Sequence, residues 1–239
     1  MRLTKRVFVI AALAFSSLGF ARPAAALPGP VACALIDVTN LESLPDGTLV
    51  QPSATEEQRR EFLELRAKAK ARITSTFGEP HAHPIVAFIH HPGSFWSVTA
   101  KSTGGTHFVG SRACVILGPQ GNNVDVVAHE LMHAELSERV GYWRRFTEIP
   151  TWFDEGIAMQ VDFRSRYTMS EQGATDTRYV RQLTSFEQFF SGNEIGIVKN
   201  YAAAKVEVRN WLEGAGAATI YSRLERIRNG ESFDAVITR

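Results

Sequence analysis

Two histidines, His129 and His133, stand four residues apart in the stretch 'VVAHELMHAEL' (126–136), with Glu130 directly after the first. On a helix, positions i and i+4 share a face one turn apart, so both imidazoles can offer a ring nitrogen to one metal ion. Glu130 is turned by about 100° around the axis. Its carboxylate is then poorly placed as a further ligand and well placed as a base toward water at the metal. That is the physical content of the pattern H-E-x-x-H, two ligands plus a general base. Zinc in such a site lowers the pKa of bound water toward ~7, and the carboxylate takes a proton as the water attacks a carbonyl. Val124, Val127, Ala128, Leu131 and Met132 make the rest of the helix largely apolar. Polar groups buried on such a helix need partners.

A third ligand has to come from another element. 'IPTWFDEGIAMQ' (149–160) supplies Asp154 and Glu155 on a second predicted helix, and Pro150 suits its first turn. Either carboxylate could serve. The other would then support a ligand from behind or face solvent.

The pair 'HELMH' and 'WFDEGIA' (W-x-x-E-G-x-A) resembles the gluzincin metallopeptidases, the zincins whose third ligand is glutamate. Within these it is similar to the group that includes the aminopeptidases and leukotriene A4 hydrolase. The resemblance implies that His129, His133 and Glu155 bind zinc and that Glu130 is the general base. It implies a zincin-like fold, a small mixed or antiparallel sheet followed by a mainly helical C-terminal half. The spacing between the two motifs is a few residues longer than is usual in that group, and 'SERVGYWRRFTE' (137–148) is expected to absorb the excess as a longer loop. 'NYAAAKVEVRNWLEGAG' (200–216) is similar to the family's tyrosine-led helix. This makes Tyr201 the implied donor to the developing oxyanion; the alternative is an ordinary aromatic packing at a helix start. 'TIYSRLERIRNGESFDAV' resembles the closing helices of the group, so the likeness spans roughly residues 105–237.

One departure bears on activity. Exopeptidase members carry Gly-x-Met-Glu-Asn on the strand before the zinc helix, and its glutamate holds the substrate's amino terminus. Here that stretch reads 'GSRACVILGP' (110–119), without a carboxylate. An endopeptidase is therefore expected rather than an aminopeptidase, with 'RACVILG' as the strand to which an extended peptide adds. The alternative is a catalytically inactive zincin-fold binding or assembly protein of the cell envelope.

The elements that must position these groups can be read from pattern. 'SATEEQRREFLELRAKAKARITSTFG' (53–78) repeats Phe62, Leu65, Ala69, Ile73 and Phe77 at helical spacing and ends at Gly78. Ser53 with Glu56 fits a capping box. 'HPIVAFIHHPG' (83–93) reads as a strand between prolines. 'SFWSVTA' and 'THFVGSRACVILGP' flank 'KSTGG' and read as a hairpin. Asn122 or Asn123 can cap the helix bearing His129. From Gly141 the pattern is helical to the end, apart from a loop-like stretch at about 163–184. Helix, strands, then helices define an α+β chain. His81, His83, His90, His91 and His107 lack ligand spacing and are read as surface or structural. Trp143, Trp152 and Trp211 are read as core or cleft lining.

The 239 residues suffice for one medium domain. A net charge of +1 gives no reason to expect nucleic acid as a partner. The first 26 residues have a basic head (Arg2, Lys5, Arg6), an apolar run from Val7 to Phe20 and 'AAA' at 24–26. That is the pattern of a cleaved signal peptide, its apolar run being shorter than the ~20 residues a spanning helix needs. Cleavage removes four basic residues and no acidic one, moving the charge from +1 to −3. Residues 27–52 are expected as an extended arm and 53–239 as one catalytic domain, exported to the periplasm or beyond, with no membrane span left and a peptide or protein as substrate. In an oxidising compartment Cys33 and Cys114 are expected to pair, closing a loop of about 80 residues worth ~4 kcal/mol; two buried free thiols are the alternative. Nothing in the sequence bears on oligomeric state.

Overall fold

A computed structural model describes residues 28–91, 103–168 and 176–237. The signal-peptide reading and the segment 'SFWSVTA' lie outside these residues. The long N-terminal helix, Glu56–Phe77, buries Phe62, Leu65, Ala69, Ile73 and Phe77 along one stripe, as the periodicity requires. Its cap is Thr55 rather than Ser53. The Thr55 hydroxyl accepts from the Gln58 amide, and the Gln58 side chain returns to the Thr55 amide. Ser53 instead meets the ring of His90. Gly78 ends the helix at φ 99°, a conformation that costs glycine least.

The segment expected as an extended arm is structured. It holds helix α1 (Gly29–Leu35) and two short strands, β1 (Glu42–Ser43) and β2 (Leu49–Val50). With β3 (Ile85–Phe88), β4 (Gly104–Val109) and β5 (Arg112–Leu117) these form a mixed sheet in the order β1-β2-β3-β5-β4. β3 runs parallel to β2 and β5, while β4 is antiparallel to β5. β4 and β5 form a hairpin turning at Gly110–Ser111, and Gly104 and Gly105 are inside β4; the hairpin expected across 'KSTGG' has its first arm outside the described residues. The chain is thus a mixed α+β structure.

Side chains alternate across the sheet, as the strand period of two demands. Val86, Phe88, Val115 and Leu117 join the main core with the long helix, here α2, and with α3 (Val124–Val140). Ala87, Ile89, Cys114 and Ile116 point the other way, onto Ala32, Cys33 and Ile36 of α1 and the turn after it. A disulfide joins Cys33 to Cys114 at a Cα–Cα distance of 5.6 Å, fixing α1 to that face. The arm is ordered because it covers an apolar sheet face that would otherwise be exposed.

After α3 the backbone turns at Gly141 (φ 91°), and the insertion expected as a loop is helix α4 (Tyr142–Glu148). α5 (Thr151–Ala158), α6 (Phe186–Phe189), α7 (Glu194–Ala215), α8 (Ile220–Arg228) and α9 (Phe233–Ile237) complete the C-terminal half. α5 packs against α7, and Gly156 is where they meet. A Cβ there would lie 2.5 Å from the Val208 side chain and 2.7 Å from the Ala204 carbonyl oxygen. Ala204 on α7 is small enough for the same close approach. Of the three tryptophans read as core or cleft lining, Trp152 is buried and Trp211 packs on the core, but Trp143 is 77% exposed and is not among the residues lining the cleft.

Candidate metal centre

His129 and His133 face one another from successive turns of α3, with their Nε2 atoms 3.1 Å apart. Asn123 caps that helix through its side chain, which accepts from the Val126 amide. The α5–α7 contact brings Glu155 over the same spot. Its Oε2 lies 3.3 Å from His129 Nε2 and 3.5 Å from His133 Nε2. All three residues are buried, and they form the metal-capable cluster found among the described residues.

The three atoms fit a cation. Ligands about 2.0–2.1 Å from a tetrahedral metal are separated from one another by about 3.3–3.4 Å, and the three separations here scatter around that value. Glu155 Oε2 is buried and makes no hydrogen bond of good geometry. Such an orphaned anion is costly unless a cation meets it. Charge tells the same story. Burial opposes ionisation of Glu155, but the facing His133 and His129 outweigh it and hold its carboxyl far below the usual range. Burial likewise opposes protonation of His133, and Glu155 and Asp154 overcome it, raising His133 well above its ordinary value. The same carboxylates would favour a divalent cation between them.

A carboxylate also stands behind each imidazole. His133 Nδ1 sits 2.7 Å from Asp154 Oδ1, and the other oxygen of Asp154 is 2.6 Å from a terminal nitrogen of Arg145. Asp154 therefore lies behind a histidine, outside the cluster of His129, His133 and Glu155. His129 Nδ1 lies 3.5 Å from Oδ2 of Asp162, which is fully buried. Burial works against the charge on Asp162, but hydrogen bonds from the Arg164 guanidinium, at 2.5–3.0 Å, more than offset it and hold the carboxyl low. The hydrogen bond to Asp154 fixes the His133 ring and directs its Nε2 toward the centre, while Asp162 faces His129 Nδ1 as a charge, without a hydrogen bond.

Glu130 stands beside the triad, half-buried, with its Oε2 accepting from the Thr106 hydroxyl at 2.8 Å. The Thr106 hydroxyl is also 2.8 Å from the Glu130 carbonyl oxygen. Tyr201, at the N-terminal part of α7, has its ring centroid 6.0 Å from that of His129. Burial, then the negative charges of Glu155 and Glu130, push its phenol well above its ordinary pKa, so it stays protonated and able to donate.

These groups line one cleft of about 950 Å³, together with Gly104–Phe108 of β4, Arg145, Phe146, Phe186 and Phe190. The strand beside the centre is β4, not β5. β5 is hydrogen-bonded to β3 on one side and β4 on the other, so it has no edge to offer a peptide. Among the described residues β4 is the terminal strand of the sheet. The expectation that 'RACVILG' receives an extended ligand is therefore replaced: the edge strand is 'GGTHFV', which likewise carries no carboxylate.

The structure unites His129, Glu130, His133, Asp154, Glu155 and Tyr201 and pairs Cys33 with Cys114. Sequence reasoning missed Asp162, Arg145 and Thr106. Asp162 lies just past the end of α5, seven residues after Glu155, and no local pattern marks it. Comparison with protein-family models gives no match, and comparison with curated proteins gives none either.

Proposed function

We propose that this chain is an exported zinc metallopeptidase of gluzincin type, cutting within polypeptide chains. The observation that carries the reading is the triangle of His129 Nε2, His133 Nε2 and Glu155 Oε2, open to a cleft that also holds Glu130. Three protein ligands and an open side are the arrangement of a catalytic rather than a structural zinc site.

When bound, zinc would supply Lewis acidity and make water acidic enough to attack at neutral pH. The protein's own part divides as follows. Glu130 takes the proton from the attacking water and passes it to the departing amine. Thr106 holds the Glu130 carboxylate in place. Tyr201, kept protonated by its surroundings, donates to the oxygen on which charge develops. β4, the terminal strand of the sheet among the described residues, pairs with the backbone of an extended substrate. No carboxylate on β4 is available to hold an amino terminus, and Glu187, also in the cleft, is tied by its own backbone N–H and by Ser185. This favours internal cleavage. The Cys33–Cys114 disulfide suits an oxidising compartment, periplasmic or extracellular. No helix among the described residues is long and apolar enough to cross a membrane.

The test is digestion of a peptide library with and without a chelator, alongside the Glu130→Gln variant. Zinc-dependent cleavage that Glu130→Gln abolishes while retaining its zinc supports the reading. Cleavage undiminished in that variant overturns the role of Glu130, and a zinc-loaded protein that cuts nothing would favour the non-catalytic alternative.

A further inference from the structure

Large apolar side chains are normally withdrawn from water, and contiguous exposed ones mark binding surfaces. Phe146 is 58% exposed and Phe186 65% exposed, and both line the cleft of the metal centre. Neither is exposed for want of neighbours. Phe146 is set edge-on to Phe108, with centroids 6.1 Å apart, and to Tyr142 at 5.1 Å. Phe186 packs on Phe190 at 4.3 Å. Each ring is thus held in one orientation while most of its surface faces outward.

Both aromatic groups connect to the reacting centre. Phe108 lies under the Arg145 guanidinium, 4.5 Å from its centroid, and Arg145 is joined to Asp154 and so to His133. Phe190 packs against Tyr201 at 5.9 Å, beside His129. Arg145 is paired with Asp154, and the exposed Glu187 carboxylate accepts from its own backbone N–H and from Ser185. The two rings offer a ligand aromatic surface, with the Glu187 carboxylate next in the chain to Phe186. Such a surface suits a large uncharged side chain and repels an acidic one.

We propose that the cleft selects peptides with a bulky aromatic or branched aliphatic side chain beside the cleaved bond, and that Phe146 and Phe186 are the residues that select it. The proposal rests on the metallopeptidase reading for its location but not for its test. A pocket of this kind discriminates large from small apolar groups by about 10–200-fold.

The zinc-loaded chain is given peptides identical except at one position flanking the cleaved bond, which is Phe, Leu, Ala or Asp. The Phe and Leu peptides are expected to exceed the Ala peptide at least about tenfold in kcat/KM, with the Asp peptide poorest. Phe146→Ala and Phe186→Ala each reduce the ratio of kcat/KM for the Phe peptide to that for the Ala peptide, and Phe146→Leu restores part of it. Equal rates for all four peptides, or a preference untouched by both variants, overturn the proposal. If nothing is cleaved, the metallopeptidase reading fails, and calorimetric binding of the same peptides to Glu130→Gln decides the selectivity separately. Tighter binding of Phe than Asp peptides, weakened when Phe146→Ala is added, supports it, while equal binding overturns it. Sedimentation of Phe146→Ala closes the remaining route. A dimer that becomes a monomer with its peptide preference intact would make this face a contact between copies, and the proposal would be wrong.

Discussion

His133 Nδ1 lies 2.7 Å from Asp154 Oδ1, while the Nε2 of the same ring faces His129 and Glu155. One imidazole thus joins the inner triangle to a buried ion pair, since Asp154 is itself held by Arg145. Adjacent residues of α5 divide the work: Glu155 faces the centre and Asp154 supports the ligand opposite.

Asp154→Asn should therefore weaken metal binding without emptying the ligand set. An amide cannot match the carboxylate's charge, and loss of such support lowers affinity by about 10–100-fold. Competition with a chelator of known affinity measures it. Glu155→Ala should lose far more, and equal losses in the two variants would contradict the division between them.

Thr106→Val should lower kcat with little change in KM. The Thr106 hydroxyl donates to the carboxylate of Glu130 and does not touch the triad. A hydrogen bond to a charged group contributes about 1.5–3 kcal/mol, so a fall of roughly 10–100-fold follows if the full effect reaches the transition state. Thr106→Ser keeps the hydroxyl and should recover most of the rate. A Ser variant as slow as Val would point to packing instead.

Gly156→Ala tests the α5–α7 approach. The added methyl meets the Ala204 carbonyl and the Val208 side chain at 2.7 and 2.5 Å, so the helices must separate. Overpacking of this kind costs about 1–3 kcal/mol, to be read from denaturant midpoints. Because Glu155 is the preceding residue, metal affinity should fall in the same variant. Intact stability and affinity would show that the contact yields easily.

Replacing both Cys33 and Cys114 by serine should destabilise the chain by about 2–5 kcal/mol, since the bridge ties α1 to β5 across 81 residues. Denaturant unfolding of the oxidised protein against the double variant gives the value. Reduction of the native bridge should approach the same stability.

His90 gives a pH dependence of known sign. It is buried, with Ser53 on its Nε2, and burial, then the neighbouring His91 charge, lower its pKa below the ordinary 6.5. As pH falls through about 6.5, the unfolded chain takes up a proton at this residue and the folded one does not, so stability declines toward the folded-state value. Above that window the effect is absent. The stability difference between the native chain and His90→Asn should shrink on acidification; a difference constant from pH 8 to 5 would contradict the assignment.

Much of this was legible in the sequence because it is local. The spacing of Phe62, Leu65, Ala69, Ile73 and Phe77 defines a helix face whatever surrounds it, and the i, i+4 relation of His129 and His133 follows from 3.6 residues per turn. What a residue meets across the molecule is not local. Glu155 reaches the histidines where Gly156 and Ala204 let α5 and α7 close together. Asp162, Arg145 and Thr106 arrive from three further segments with no periodicity to announce them. The edge of the sheet was misplaced for the same reason: strand order depends on which faces pack, and an apolar β5 reads alike at an edge or in the middle. By itself, the sequence determined the two histidines, the glutamate beside them and the helix that carries them. Only the tertiary structure decided that Glu155 joins the two histidines, which carboxylates stand behind the imidazoles and which strand borders the cleft, because those depend on contacts between elements that helical and strand periods do not encode.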